Sequence, residues 1–435
     1  MGDLAGRDLL RRIWARLDAR LNHTGPEPVA LALSGGGDSM ALLDVAAEWA
    51  KARGRRLLAL TVDHNLHPDS AGWTRFAAEA ARAAGADWRG LVWEGARGGP
   101  GAPARARAAR HALLAEAARE AGARVILIGH TVDDVAEGDW MRADGATLGR
   151  LREASPSPAW PEGRGLLLLR PVLGEGRVAL RDHLRARGLT WLEDPANADL
   201  RYGRGRARAA LAQAEVPAAL SATVAYASAA HEPGDQAWAG VLSLSRDLPA
   251  STLAAVLLCA GGGATPPRGD RLAALHARLA AGEDFTAVLS GARVEASGER
   301  VQAMREPGEW KRRPLASLAL TPGRPAVWDG RFEIKTEQPG LRVAAAAGRL
   351  AQLSERDRAA LAPLPPAARA AAPILIDPEG RAVLAWRGAD VRALGLRRLA
   401  LALAAFGGET TQEDGLFQTL HGETPPSDLF SDEDC

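Results

Sequence analysis

The chain has 435 residues, 47% hydrophobic and 25% charged, with a formal net charge of +1. This is the profile of a globular protein of two or three domains. No window approaches the ~18 uncharged apolar residues of a membrane span, and the opening MGDLAGRDLLRRIW lacks the unbroken apolar core of a secretory leader, so neither membrane insertion nor export is expected. The cysteines, Cys259 and Cys435, are too far apart for a disulfide framework or a zinc site, which fits a reducing cytoplasm.

The first 200 residues alternate between strand and helix patterns. VALALS (29–34) is a short apolar run stopped by glycines, and a helix follows over 38–52. LLALTVD (57–63) is the next strand and 70–84 the next helix. DWRGLVWEG (87–95) precedes a helix over about 103–121, and VILIGH (125–130) precedes one starting near Val132. This β-α order predicts an α/β domain, a parallel doubly wound sheet with helices on both faces. Ligands in such sheets sit beyond the carboxyl ends of the strands. SGGGDS, DHNLHPDS and GHTVDD all fall there.

Beyond about 210 the motifs thin out. Residues 211–315 read as a mostly helical middle region with a small hairpin over 287–306, and 316–408 as a small α+β region with strands at RFEIKT and PILID. Residues 409–435 carry acidic residues and no Lys or Arg, and are expected to be a disordered tail. Lys occurs only at 51, 311 and 335. Arg clusters in ARARAARHALL (104–114) and RYGRGRARAAL (201–211), where it could track phosphates.

Ser34-Gly35-Gly36-Gly37-Asp38-Ser39 lets backbone amides converge on an anion at a helix N-terminus. It has no P-loop lysine. Asp38 would repel phosphate directly but suits a Mg²⁺ ligand bridging to phosphate oxygens. The plainer alternative is a glycine-rich turn with Asp38 as a helix cap. Arg107 and Arg110 share a helical face, for an anion or for solvent. Asp134 and Glu137, three apart at a helix start, could cap it or grip an ammonium.

S-G-G-x-D-S after a first strand resembles the loop of the N-type ATP pyrophosphatases. Those enzymes cleave ATP between its α- and β-phosphates, adenylate a substrate oxygen and let a nucleophile displace AMP. TVDHNLHPDS (61–70), ARAARHALL (106–114), GHTVDDVAEGDWMR (129–142) and RPVLG…WLEDPANADLRYGRGRAR (170–208) follow in the order found in the tRNA(Ile)-lysidine synthases, and the last is the most specific match. His67 stands where Arg is commoner, and Gly205 where Asn is usual. Val135 and Gly138-Asp139-Trp140 also depart from the pattern, suggesting a shorter or kinked helix.

The resemblance implies ATP-dependent joining of free L-lysine to C2 of the wobble cytidine of tRNA(Ile), through an adenylated intermediate with release of AMP and diphosphate. It implies ATP contacts at Ser34, Gly35, Gly36, Gly37, Asp38, Ser39, Val62, Asp63, Arg107, Gly129 and His130, with Asp133 also lining the nucleotide and Mg²⁺ at Asp38. It places lysine at Asp134 and Glu137, and catalysis at Asp38, Arg107, Asp134 and Glu137. Arg110, Arg204 and Arg208 would face tRNA phosphates or close over the active site. Asp194, Asn197, Asp199 and Tyr202 also match. The family is often dimeric, so a homodimer is among the expected assemblies. The competing readings are a tRNA thiolase of the same superfamily, which needs reactive cysteines, and a non-catalytic nucleotide- or tRNA-binding relative.

Overall fold

The structure is a computed structural model that describes residues 2–65, 67–95, 101–146, 148–193, 201, 203–212, 235–407, 413–426 and 429–430. The chain divides into two compact units, Met1–Tyr226 with Ala404–Gln418, and Ala227–Leu403 with Thr419–Cys435. The regions expected as separate middle and C-terminal domains contribute to one unit, and part of the expected tail belongs to the other.

The first unit opens with helix α1 (Gly2–Asp18), then runs β1 (Val29–Ala32), α2 (Gly37–Arg53), β2 (Leu57–Asp63), α3 (Ser70–Ala83), β3 (Asp87–Val92), α4 (Ala102–Glu120), β4 (Val125–Leu127) and α5 (Val132–Ala143). Strands β5 (Ala154–Pro156) and β6 (Leu167–Leu169) and helices α6 (Arg177–Ala186) and α7 (Gly203–Leu211) complete it. The sheet order is β3-β2-β1-β4-β6-β5. All neighbours are parallel except β5, which lies antiparallel on β6. β1 is central, so its residues are apolar in succession rather than alternating. β3 lies at an edge and exposes Asp87 and Arg89, charges that discourage further strand pairing. β6 was not anticipated. Its run of leucines, buried on both sides, has no periodicity to distinguish strand from helix.

The order reverses between β1 and β4, which makes the gap between their carboxyl ends the switch point of the sheet. The loops at 34–39 and 128–131 meet there. α5 is one 12-residue helix, neither interrupted nor stopped at Gly138. It packs against α7, and α2 packs against α6, so four helices line this end of the sheet.

In the second unit, the region expected to be mostly helical holds helices Ala250–Gly261 and Asp270–Ala280. It also holds a four-stranded antiparallel sheet of Leu242–Leu244, Phe285–Leu289, Ala292–Ser297 and Arg300–Arg305. The expected hairpin is the centre of that sheet. Val294 and Ala296 turn inward with period two while Glu295 points away, and this alternation outweighs the helix propensity of the neighbouring Ala and Leu. RFEIKT and PILID form strands Phe332–Lys335 and Pro373–Ile376 in two further small sheets.

The acidic segment differs from the expectation of disorder. Glu413 is buried in the first unit, where its carboxylate accepts both terminal nitrogens of Arg55 at 2.8 and 2.9 Å. Both side chains are 1% exposed. The Asn22 amide donates to the same carboxylate, and Phe417 lies beneath the Arg124 guanidinium. Within the second unit, Glu423 is fully buried and accepts from Arg397 at 2.9 Å. Each glutamate is held by an arginine, so composition alone misread the segment.

Candidate active site

Between β1 and α2 the chain bends through Ser34–Ser39. The Ser39 hydroxyl donates to the Gly36 carbonyl at 2.9 Å and lies 3.0 Å from the Ser34 hydroxyl, closing the bend on itself. Gly35 has φ +82°, and a Cβ there would lie 2.8 Å from Leu192 Cδ1. The Leu192 amide donates to the Gly35 carbonyl at 2.9 Å, so the segment that follows α6 braces the loop. α2 starts at Gly37 behind Gly36, which supplies no side-chain cap. Its first-turn amides therefore present a positive helix end to whatever occupies the bend.

The loop after β4 approaches this helix end closely. A Cβ on Gly129 would lie 3.0 Å from the Asp38 carbonyl oxygen and 3.1 Å from the Ser39 nitrogen, both backbone atoms. Gly129→Ala is expected to push the two loops apart, costing about 1–3 kcal/mol of stability and weakening nucleotide binding about tenfold. Titration calorimetry with an ATP analogue and a urea melt check the two effects.

Four carboxylates converge on one arginine, three of them on its guanidinium. Arg177, the first residue of α6, donates from Nε to Asp38 Oδ2 at 3.3 Å and from Nη2 to Glu137 Oε1 at 3.1 Å. Its Nη2 lies 4.0 Å from Asp134 Oδ2, and its backbone amide donates to Asp133 Oδ2 at 2.8 Å. Burial opposes the charge on Arg177, but Asp38, Glu137, Asp134 and Asp133 together hold its pKa above the ordinary guanidinium value. Asp38 shows the converse. Burial raises its pKa, Arg177 opposes the rise, and Asp134 adds to it. Asp38 Oδ1 is buried without a hydrogen-bond partner.

Asp134 serves as both cap and acid. Its Oδ2 accepts from the Thr131 amide at 2.9 Å and the Thr131 hydroxyl at 3.1 Å, forming a capping box at the start of α5. Burial would raise its pKa, but His130, the Thr131 amide, Arg204 and Arg177 outweigh that and hold it low. Its Oδ1 lies 4.0 Å from Arg204 Nη1. Glu137, 2% exposed, accepts at Oε1 from Arg208 Nε at 2.7 Å as well as from Arg177, while its buried Oε2 has no partner. Arg208, expected at tRNA phosphates or closing over the active site, turns inward onto Glu137, because packing of α7 on α5 brings the two together.

A basic wall surrounds these acids. Burial pushes the Arg110 pKa down to about 10, with Arg107 and Arg204 adding like-charge repulsion, and Arg170 falls to about 10 for similar reasons. Burial pushes His130 to about 3. Its Nδ1 accepts from Arg170 Nε at 3.1 Å, so the neutral ring carries its proton on Nε2. His111 is also held near 3 by burial and the neighbouring arginines, and its Nε2 is buried without a partner. Arginines that repel one another around buried neutral histidines form a seat for anions.

At the end of β2, Val62 is half-buried and Asp63 Oδ1 accepts the Asn65 amide at 2.6 Å, a turn-capping bond. Asp194, Asn197, Asp199 and Tyr202 lie outside the described residues. Arg177 and Arg181 were not singled out in the sequence. Arg181, four residues on, lies beside Gly37, where an added Cβ would be 3.5 Å from its Nε. Their i,i+4 spacing after Gly-Glu-Gly is the signal that would have marked one basic helical face.

The latch behind Arg177 is Glu175, 4% exposed. It accepts from Arg12 at 2.7 Å and Arg16 at 2.9 Å, and its carbonyl accepts the Val132 amide that opens α5. Burial alone would raise the Glu175 pKa, but the two arginines outweigh it and hold the carboxyl below its ordinary 4.5. The stability this ion pair gives is therefore present above pH 4.5 and is lost as pH falls through the lower folded value. Urea unfolding should show Glu175→Gln less stable than the native chain at pH 7, with the gap closing as pH drops below the carboxylate range.

The comparisons with known proteins agree with this geometry. Residues 9–215 match the PP-loop domain family. The chain is 48% identical over 375 residues to the tRNA(Ile)-lysidine synthase of Caulobacter vibrioides, covering 86% of this chain and 90% of that protein. The chain belongs to the tRNA(Ile)-lysidine synthase family. The synthases of Ruegeria pomeroyi and Hyphomonas neptunium are 33% and 37% identical, over 79% and 68% of this chain and 85% and 86% of theirs. The thiolase alternative finds no support in Cys259, which lies in the core of the second unit with burial pushing its thiol to about 12. A thiol held neutral to that extent is a poor sulfur carrier. Among the described residues of this lysidine synthase family member, no helix is long and apolar enough to cross a membrane.

Proposed function

We propose that this enzyme joins the ε-amine of free L-lysine to C2 of the wobble cytidine of tRNA(Ile), after ATP has adenylated that base at O2, with release of AMP and diphosphate. The observation that carries the reading is the proximity of two kinds of unspent carboxylate oxygen around one arginine. Asp38 Oδ1 lies at the anion-seating bend, and Glu137 Oε2 lies on the adjoining helix. A seat for a metal-bound polyphosphate and a seat for an ammonium thus adjoin.

Mg²⁺ fits this site. Among the described residues no group of three or more acidic, His or Cys side chains forms a protein-only metal cage. Mg²⁺ beside nucleotides commonly takes only one or two carboxylates with phosphate oxygens and water, and the partnerless Asp38 Oδ1 supplies one. Bound there, Mg²⁺ would neutralise charge developing on the departing diphosphate. The amides of the Ser34–Ser39 bend would hold that diphosphate in place, with Arg107 at the phosphates. Val62, Asp63, Gly129 and His130 would border the nucleotide. Lysine, with an ordinary amine pKa of about 10.4, must lose a proton on attack, and Glu137 Oε2 is placed to accept it. Arg110 and Arg204 would meet tRNA phosphates.

The test is nucleoside analysis of unmodified tRNA(Ile) incubated with this protein, ATP and lysine. Lysidine and stoichiometric AMP are expected. AMP-free mixtures would point to a binding protein, and turnover indifferent to lysine would point to another PP-loop reaction. Glu137→Gln is expected to raise the lysine concentration for half-maximal rate at least tenfold and the ATP requirement far less, the loss of a charge-assisted contact being worth about 1.5–3 kcal/mol. Steady-state kinetics with each substrate varied in turn would show it.

A further inference from the structure

Arg177 joins the two seats, since one guanidinium holds Asp38 on the nucleotide side and Glu137 on the amine side. Its backbone is fixed from behind, with its amide on Asp133 and the neighbouring Glu175 latched to Arg12 and Arg16. Among the described residues its side chain is held by carboxylates alone, and the Asp38 bond is long at 3.3 Å. Glu137 keeps a second cationic partner in Arg208 at 2.7 Å, so it is not left unpaired if Arg177 withdraws. Asp38 has no such second bond among the described residues, and its other oxygen is already without a partner.

We infer that Arg177 is a resident counter-ion that couples the two seats: a cation arriving at Asp38 displaces the guanidinium from it and loosens its hold on Glu137, so that Mg·ATP prepares the site for lysine. This rests on the assignment of lysine to Asp134 and Glu137 made above. The physical ground is competition. An incoming cation must replace the guanidinium before it gains a carboxylate, and one guanidinium bound to both seats cannot leave one without weakening at the other. Such linkage is reciprocal, so lysine tightens nucleotide binding by the same factor. Lysine arriving first, with Asp38 still neutralised by Arg177, meets the full competition. Arg177 is a positioning residue in this scheme.

The test is calorimetric binding of L-lysine to the full chain, with and without Mg²⁺ and α,β-methylene-ATP, for the native protein, Arg177→Lys and Arg177→Gln. The native chain is expected to bind lysine about tenfold more tightly with the nucleotide present. In Arg177→Lys the positive charge stays, but one ammonium cannot span Asp38 and Glu137 as a fork does, so the factor falls to near one. In Arg177→Gln the factor also falls to near one, and lysine alone binds more tightly than to the nucleotide-free native chain. Thermal melts report whether each variant is folded, and Arg177→Lys decides the matter if Arg177→Gln is not. A native coupling factor near one, or an unchanged factor in Arg177→Lys, overturns the inference and leaves the lysine assignment standing. A native chain that binds no lysine in either state overturns the lysine assignment and the coupling with it.

Discussion

Asp38→Asn is expected to lower AMP formation in the presence of tRNA, lysine and ATP by on the order of a hundredfold or more, the scale seen when one preorganised electrostatic contact to a developing charge is removed. The substitution keeps the shape of the side chain. It also removes a charge that burial already disfavours, as the raised pKa of Asp38 records. Folding stability should therefore hold or rise slightly while turnover collapses, and this split separates a functional carboxylate from a helix cap. A cap would lose little activity, since Asn caps helices about as well as Asp. AMP release within tenfold of the native rate would remove Asp38 from the chemistry.

Glu413→Ala carries the largest expected effect on stability. Glu413 and Arg55 are each 1% exposed and make two hydrogen bonds to each other. Deleting the carboxylate leaves the guanidinium, among the described residues, with the carbonyls of Asn22 and Glu27 as acceptors. Breaking a buried pair from one side costs about 3–5 kcal/mol. Urea unfolding followed by a probe in the first unit should show the loss. The double variant Arg55→Met with Glu413→Leu should recover much of it, because apolar replacement of a buried pair is often neutral. A single variant within 1 kcal/mol of the native chain would mean that water reaches the pair.

Much of the first unit was legible in the sequence because its signals are local. A short apolar run stopped by glycines marks β1, and the residue types of Ser34–Ser39 mark the tight bend that joins it to α2. Asp134 and Glu137 were singled out by spacing, with a helix cap and an ammonium grip both open, and the structure shows the capping role for Asp134. Arg177 was not found. Its importance comes from Asp38, 139 residues earlier, and from Glu137 on another helix, and neither proximity can be read along the chain. Arg208 was left between tRNA phosphates and closure over the active site, since a sequence shows that a charge is present and not which way it turns; the structure turns it onto Glu137. The sheet over 285–305 was underestimated because alanine and leucine suggest helix until partner strands are present. Glu413 was lost among the acidic residues around it, although its partner stands 358 positions earlier.

That distance has a consequence during synthesis. The backbone leaves the first unit, builds the second, and comes back to contribute residues 404–418 to the first. A ribosome that has finished the last strand of the first unit's sheet at Leu169 has 244 residues to translate before Glu413 is made. Until then the Arg55 guanidinium lacks its carboxylate partner. Chains cut short before Glu413 would lack this contact, and are expected to unfold at lower urea and to be cut more readily by added protease than the full chain.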